Sequence, residues 1–138
     1  MTTFDEVINF YKLFNRYKNN TYEELYYHIE QPINYNQYKI FKDKQIYGFV
    51  NWALVDEKTE DYFLKTGEVL NWNCGNKMIH IDLLAKKNIR KIYKWSKNNL
   101  AKIVGLGNTT YWIRLNEKNK IRNIVKKNIK DNWLWVEQ

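Results

Sequence analysis

The sequence predicts a single α/β domain in which helices flank a mixed sheet, with two of the helices at the N-terminus. Three observations support this prediction: segments of helical and of strand-like hydrophobic periodicity alternate along the chain, its 138 residues suit one core, and 44% of them are hydrophobic. No internal repeat and no low-complexity linker divides the sequence. We therefore expect residues 1–138 to form one domain.

The first two helices are predicted from their capping residues. The segment Thr3–Glu6 has the spacing of a capping box and opens an apolar helical stripe, which predicts a helix over residues 4–17. The segment Thr21–Glu24 repeats this spacing at the start of a second helix. Pro32 is expected to end that helix, because the residue before a proline disfavours the helical conformation.

The middle of the chain is predicted to alternate between strands and a helix. β-Branched and aromatic residues dominate residues 37–42 and 45–54, which predicts a hairpin with its turn at Asp43. Residues 56–65 are expected to be helical, and the alternating residues 77–84 are expected to form a strand.

The last part of the chain is predicted to be a helix followed by a second hairpin. Asn88 can cap the helix, and the glycine-rich residues 105–108 predict a turn. Strands are expected at residues 110–115 and 119–126. The apolar face of the helix is expected to consist of Ile89, Ile92, Tyr93 and Leu100.

Residues 72–85, WNCGNKMIHIDLLA, hold the most informative pattern in the chain. Strand side chains two residues apart share a face at a spacing of roughly 7 Å. We therefore expect His80 and Asp82 on one face of this strand and aliphatic residues on the other. A carboxylate in such an apolar strand is costly unless it has a partner or a task. Asp82 is either a structural carboxylate that accepts bonds from backbone amides or an arginine, or a catalytic group.

These residues resemble a motif of the toxin-activating lysine acyltransferases that fatty-acylate RTX haemolysins. Residues 36–53 are similar to that family's first hairpin, and residues 111–128 are similar to its late hairpin, in which a strand carries Ile-Arg. The resemblance implies structural or pocket roles for Trp72, Gly75, Trp52 and Arg114. The residues that fall on the first motif without a gap are Trp72, Gly75, Ile81, Asp82, Leu84 and Ala85.

The resemblance implies a GNAT-like fold and transfer of a fatty acyl group to a protein lysine. The implied donor is acyl carrier protein, whose acyl-phosphopantetheine arm carries the thioester, so no bound cofactor is expected. Ordinary GNAT enzymes bind the coenzyme A pyrophosphate with a glycine-rich loop, and the corresponding residues 85–91, AKKNIRK, contain no glycine, which disfavours an acyl-coenzyme A donor. In the family a histidine at the end of the first helical segment deprotonates the lysine, and the strand aspartate, matched by Asp82, supports it.

The position of the family's histidine falls near Tyr17 or Lys18 in this chain, and neither residue is a histidine. Tyrosine and lysine titrate near pH 10 and imidazole near pH 6.5, so neither replaces the histidine without a large shift. His80, expected to be oriented by Asp82, and His28, expected to approach from the second helix, are the two candidate bases. For each histidine the alternative is an ordinary packing or surface role.

The net charge of +8 predicts an acidic partner. Within the basic segment 86–97, we expect Lys87, Arg90 and Lys94 to contact acyl carrier protein, which is strongly acidic. Such a charge run is also typical of a solvated helix face. A function from a different class stays open: a non-catalytic GNAT-like module that uses its basic surface to bind nucleic acid or to block an acidic partner protein.

Two further expectations concern the cellular setting. No segment approaches 18 apolar residues and no basic region precedes an apolar stretch at the N-terminus, so the expected location is the cytoplasm, with no membrane span. With two histidines and a single cysteine, Cys74, neither a structural zinc site nor an internal disulfide is expected.

Overall fold

The computed structural model describes residues 2–105, 108–115 and 121–128, with side chains as far as Tyr111. The predicted α/β architecture is confirmed. In the described part, helices cover α1 Thr3–Tyr11, α2 Tyr22–Asn34, α3 Glu57–Thr66 and α4 Ile89–Val104. The strands in the same part are β1 Tyr38–Lys42, β2 Ile46–Val55, β3 Lys77–Ala85, β4 Thr109–Leu115 and β5 Ile121–Asn128.

The strands form one mixed sheet in the order β1-β2-β3-β4-β5. The pairs β1/β2, β2/β3 and β4/β5 are antiparallel, and β3 pairs parallel to β4. A parallel pair needs a crossover connection, and α4 supplies it between β3 and β4. The predicted mixed sheet is therefore confirmed, and it matches the GNAT-like arrangement.

The helices cover both faces of the sheet. On one face, Phe49 of β2 packs among the apolar residues of α1 and α2, and Ala53 packs with Phe63 of α3. On the other face, Val50 and Trp52 pack against α4. Neighbouring residues of β2 point to opposite sides, as the strand pleat requires. The sheet thus separates α1, α2 and α3 from α4.

The N-terminal helices differ from their predicted boundaries. The capping box of α1 is formed by Thr2 and Asp5, one residue before the predicted pair, and the helix ends at Tyr11 instead of residue 17. The predicted box of α2 at Thr21 is confirmed. Pro32 does not end α2, because a proline removes only its own N–H bond, and the next turn closes through Tyr35 N to Gln31 O at 3.0 Å.

Helix α4 has a different buried face from the predicted one. Ile92 and Leu100 are buried, but Ile89 and Tyr93 are 47% and 51% exposed. Asn88 precedes the helix with a left-handed backbone, φ 57°, and its side chain makes no capping hydrogen bond. The predicted strand at 119–126 is found at 121–128, and the predicted turn at 105–108 includes residues 106–107, which lie outside the described part.

The first hairpin, α3 and β3 agree with their predicted positions to within a residue or two. Within the described residues, no helix combines the length and the apolarity that a bilayer crossing needs.

Candidate active site around Asp82

The centre of the site is the carboxylate of Asp82, whose side chain is completely buried on β3. Its Oδ2 atom lies 2.7 Å from the Tyr11 hydroxyl and 2.7 Å from Nε2 of His28. Its Oδ1 atom accepts a hydrogen bond of 2.5 Å from the Tyr17 hydroxyl. Three donors from outside the strand therefore meet one buried carboxylate, which compensates the cost of removing it from water.

Asn51 and Arg16 complete the surroundings of the carboxylate. The Asn51 side chain accepts a 2.8 Å bond from the backbone N–H of Asp82, and its amide nitrogen lies 3.3 Å from the Tyr11 hydroxyl. Arg16 lies 4.0 Å from Oδ1 and 5.0 Å above the Tyr17 ring, with its side chain 40% exposed. Arg16 is thus the cationic group at the solvent side of the cluster.

Packing of the first two helices on the sheet brings these residues together. Tyr11 is the last residue of α1, Tyr17 lies in the turns that follow, and His28 is in the middle of α2. The aromatic rings contact one another, with centroids of Tyr11 and Tyr17 at 4.9 Å and of Tyr17 and His28 at 5.5 Å. Because these rings are packed together, the hydroxyls and the imidazole are held in one orientation toward Asp82.

The cluster shifts the ionisation of its members. Burial alone would raise the pKa of Asp82, but the charge and hydrogen bond of His28 and the two tyrosine hydroxyls outweigh it, so the pKa is lowered. Burial and the nearby carboxylate raise the pKa of Tyr11 and Tyr17 well above 10, so both remain protonated donors. Burial would lower the pKa of His28, but the charge of Asp82 and its hydrogen bond prevail and raise it.

His28 is oriented as a base would be. Its Nε2 atom is held by Asp82, and the hydrogen bonds found among the described residues leave Nδ1 without a partner. The side chain is 30% exposed, so the imidazole can be reached from solvent. A carboxylate on one ring nitrogen fixes the tautomer in which the other nitrogen accepts a proton.

His80 does not join this cluster, and the predicted shared face with Asp82 is wrong. Asn51 pairs with Asp82 but Trp52 pairs with His80, so Ile81 is an extra residue in β3. Such a bulge reverses the alternation of side chains. Trp52 packs on the α4 side, which places its partner His80 there, whereas Asp82 faces α1 and α2. Burial lowers the pKa of His80 to about 4.

The predicted carrier-binding residues lie on the far side of the sheet from His28. Lys87 forms an ion pair with Asp43 at 2.5 Å and lies 5.3 Å from the centroid of the Tyr47 ring. Arg90 and Lys94 are in the first two turns of α4. Lys87 lies in the bend before α4 while Arg90 and Lys94 lie on the helix, and none of the three is part of the Asp82 cluster.

The predicted pocket residues have structural surroundings. Trp72 is buried, and its backbone is held by two glutamines: its N–H donates to Gln31 Oε1 at 3.0 Å, and its carbonyl accepts from Gln37 Nε2 at 2.8 Å. Gly75 lies so close to β2 that a Cβ atom would meet the Val55 carbonyl oxygen at 2.2 Å. Trp52 belongs to the core on the α4 side.

Arg114 is a residue of β4, and its side chain lies outside the described part of the structure.

The sheet opens next to Asp82. Strands β3 and β4 pair from Met78 with Thr110 to His80 with Trp112. Beyond that point β3 continues to Ala85 and β4 to Leu115, but among the described residues no further pairing joins them. The sheet therefore has a gap that begins one residue before Asp82, and unpaired backbone groups in such a gap can bind an extended chain.

The sequence had indicated Asp82 and the two histidines, but not the three neutral partners Tyr11, Tyr17 and Asn51. Tyr11 falls within the predicted first helix without an assigned role, and Tyr17 is considered only as the position that lacks a histidine. The available signal was the cost of burying Asp82: a buried carboxylate needs several hydrogen-bond donors, and tyrosine hydroxyls and an asparagine amide can be among them. Among the described residues, no group of three His, Cys, Asp or Glu side chains can hold a metal ion.

The sequence matches a model of the RTX toxin acyltransferase family over residues 2–127. No match was found among curated proteins.

Proposed function

The chain belongs to the RTX toxin acyltransferase family, a family of toxin-activating acyltransferases, and from that premise we propose that it moves a fatty acyl group from acyl carrier protein to a lysine of a protein substrate. In this proposal His28 is the general base and Asp82 orients it. The observation that carries the assignment is the 2.7 Å contact between His28 Nε2 and the buried Asp82 carboxylate.

The proposed reaction is an aminolysis of a thioester. Nδ1 of neutral His28 takes a proton from the acceptor amine while the amine nitrogen attacks the thioester carbonyl. The new C–N bond forms, the C–S bond breaks, and the proton on His28 passes to the leaving thiolate. The negative charge of Asp82 stabilises the imidazolium that exists between the two proton transfers.

The gap between β3 and β4 is the proposed binding site for the phosphopantetheine arm of the donor. A phosphopantetheine arm is an extended chain with two amide groups, and unpaired strand backbone is a natural partner for such a chain. Because the gap starts beside Asp82, an arm lying in it would bring its thioester toward the His28 side of the sheet. The donor is a mobile domain in this proposal, so the protein needs no permanently bound cofactor.

The cationic start of α4 supports a docking site for the acidic carrier. Arg90 and Lys94 lie beside Ile89 and Tyr93, which are exposed, so the surface offers both charge and apolar contact. Carrier binding at this helix would place the carrier on the opposite face of the sheet from His28, with its arm reaching through the gap. Lys87 lies next to this surface and forms an ion pair with Asp43.

The test of the base compares two histidine variants. Acyl carrier protein charged with a labelled fatty acid is mixed with an unmodified RTX toxin and with wild-type, His28→Gln or His80→Gln protein. We expect His28→Gln to lose about 10² to 10⁴ in rate, the range of general-base catalysis, and His80→Gln to stay within about twofold of wild type. Equal loss in both variants, or none in His28→Gln, would remove His28 from the proposed role.

The test of the donor site uses matched charge reversals. Arg90→Glu with Lys94→Glu should weaken carrier binding by at least about tenfold, while Lys58→Glu with Lys65→Glu on α3 should have little effect. If neither pair changes the affinity, α4 is not the docking helix. If wild-type protein transfers no acyl group but binds random DNA in a steeply salt-dependent way, the non-catalytic binding module replaces the acyltransferase proposal.

A further inference from the structure

We propose that the outer face of α2 is the docking surface for a cationic, lysine-bearing segment of the acceptor protein. This inference rests on the proposed function, since it concerns how the amine is delivered to His28. The surface consists of the exposed or half-buried residues Tyr22, Glu23, Glu24, Tyr26, Tyr27 and Glu30, and we call it the α2 surface.

The charge of α2 contrasts with that of the chain. The protein carries +8, yet α2 contains Glu23, Glu24 and Glu30 and neither lysine nor arginine. Helix α4, on the opposite face of the sheet, contains five Lys or Arg residues and no Asp or Glu. A cationic segment is therefore attracted to the α2 surface and repelled by α4, whereas an acidic carrier is directed the other way.

The aromatic residues of the α2 surface also favour a cationic ligand. Tyr27 is 82% exposed, and Tyr22 and Tyr26 are 44% and 37% exposed. Tyr26 stacks on Phe4 at 4.5 Å and on Tyr22 at 6.3 Å, so the rings form a fixed ladder and not independent side chains. Aromatic faces next to carboxylates are good partners for ammonium and guanidinium groups.

The α2 surface leads directly to the base. Glu24 precedes His28 by one helical turn, and Tyr27 is its neighbour in the chain, so all three lie at adjacent points of the helix. The imidazole is 30% exposed there. A lysine drawn to Glu24 thus has its amine within about one helical turn, roughly 5 Å, of the base, and Glu23 and Glu30 extend the acidic surface around the helix. Glu24 also caps α2 through Thr21, which makes it unsuitable for substitution.

The experiment measures binding without chemistry. The probe is a fluorescein-labelled synthetic peptide in which lysines alternate with glycine and alanine, and its matched peptide has glutamate in place of lysine. Fluorescence anisotropy at about 0.1 M salt, where the Debye length is about 10 Å, reports the affinity of each for the full-length protein. Two double variants are compared: Glu23→Lys with Glu30→Lys on α2, and Glu57→Lys with Asp61→Lys on α3.

The two double variants are matched because each raises the net charge by the same amount and each places one change in the first turn of a helix. We expect the α2 pair to weaken binding of the lysine peptide at least tenfold and the α3 pair to weaken it less than twofold. Tyr27→Ala should weaken it about threefold, against no change for Tyr93→Ala on α4. The glutamate peptide should not bind the α2 surface.

Equal weakening by both double variants would show that only net charge matters and would overturn the proposal. Salt-sensitive self-association that disappears with the α2 reversal would assign the surface to a second copy of the chain and would overturn it as well. His28→Gln keeps the surface intact, so it should bind the peptide like wild type even though it is expected to lose transfer. Full transfer by His28→Gln would therefore count against the catalytic proposal alone, and equal peptide binding by the two double variants would count against this proposal alone.

Discussion

His80 and Asp82 lie two residues apart on β3, and their surroundings are opposite. Asp82 is met by Tyr11, Tyr17 and His28, which lower its pKa despite complete burial. His80 lies on the α4 side, and burial lowers its pKa to about 4. One carboxylate is kept ionised by its neighbours, and one imidazole is kept neutral by its surroundings.

The bulge at Ile81 is the cause of this difference. In a regular strand both ionisable groups would share a face and would form a pair. The extra residue turns His80 away, so the partner of Asp82 has to come from another element, and α2 supplies His28. A local irregularity of the backbone therefore decides which histidine contacts Asp82.

The largest effect is expected from Asp82→Asn. An amide presents one acceptor oxygen where the carboxylate presents two, and it cannot stabilise an imidazolium. Acyl transfer should fall by about 10³-fold or more in single-turnover measurements with labelled acyl carrier protein. The same variant should move the pH at which activity is half-maximal from above 6.5 to below it, because the charge that raises the pKa of His28 is gone and burial remains.

Thermal unfolding provides the control for Asp82→Asn. The variant should remain folded with a loss of about 1 to 3 kcal/mol, as expected for unsatisfied buried donors. Wild-type transfer rates in a folded variant would show that Asp82 has only a structural role.

A second prediction concerns stability on the other side of β3. The pKa of His80 is about 4 in the folded protein and near 6.5 when unfolded, so protons favour the unfolded chain as the pH falls below 6.5. Protonation of His80 should therefore lower the free energy of unfolding by about 3 kcal/mol at pH 4, and His80→Gln should abolish this decrease. Urea denaturation from pH 7 to pH 4 measures the difference between variant and wild type.

His28 should show the opposite dependence in the same experiment. Folding raises the pKa of His28, so its protonation stabilises the folded protein. This contribution to the free energy of unfolding is complete below pH 6.5 and is lost as the pH rises through the higher folded pKa. If His28→Gln and His80→Gln changed the free energy of unfolding in the same way between pH 7 and pH 4, the two histidines would not differ as proposed.

The smallest effect is expected from Tyr17→Phe. Without the Tyr17 hydroxyl, one fewer hydrogen bond stabilises the negative charge of Asp82. The carboxylate then attracts protonated His28 more strongly, which raises the pKa of His28 further. The half-maximal pH of transfer should move upward and the rate at pH 7 should fall a few-fold, with the rate at high pH retained. Tyr17 is thus a positioning residue in our proposal.

Tyr47→Phe is the matched control for Tyr17→Phe, because both tyrosines are 7% exposed and Tyr47 packs on the α4 side. It should leave the pH profile unchanged. A uniform decrease at all pH values in Tyr17→Phe would indicate loss of structure and not altered ionisation.

Much of the fold follows from the sequence because its signals are local. The capping box at Thr21, the hairpin around Asp43 and the extent of β3 each depend on neighbouring residues, and each was found where expected. The buried face of α4 was predicted incorrectly at Ile89 and Tyr93, since periodicity alone does not show where a helix meets a sheet.

The candidate site was less predictable because it depends on tertiary contacts. Asp82 was recognisable from the cost of burying a carboxylate, but its partners come from three other elements of the chain. The bulge at Ile81 has no sequence signal, because the aliphatic residues around it look like any regular strand. The pairing of His28 with Asp82 required the packing of α2 on the sheet.

The placement of α4 has a consequence for the protein's own side chains. In the proposed reaction the protein's own lysines are competing acceptors, and this chain has 23 Lys and Arg residues. Five of them lie on α4, behind the sheet from His28, while α2 contains none. In our proposal the β-sheet therefore shields the lysines of α4 from acylation, whereas it does not shield Lys12 and Lys18, which follow the cluster residues Tyr11 and Tyr17.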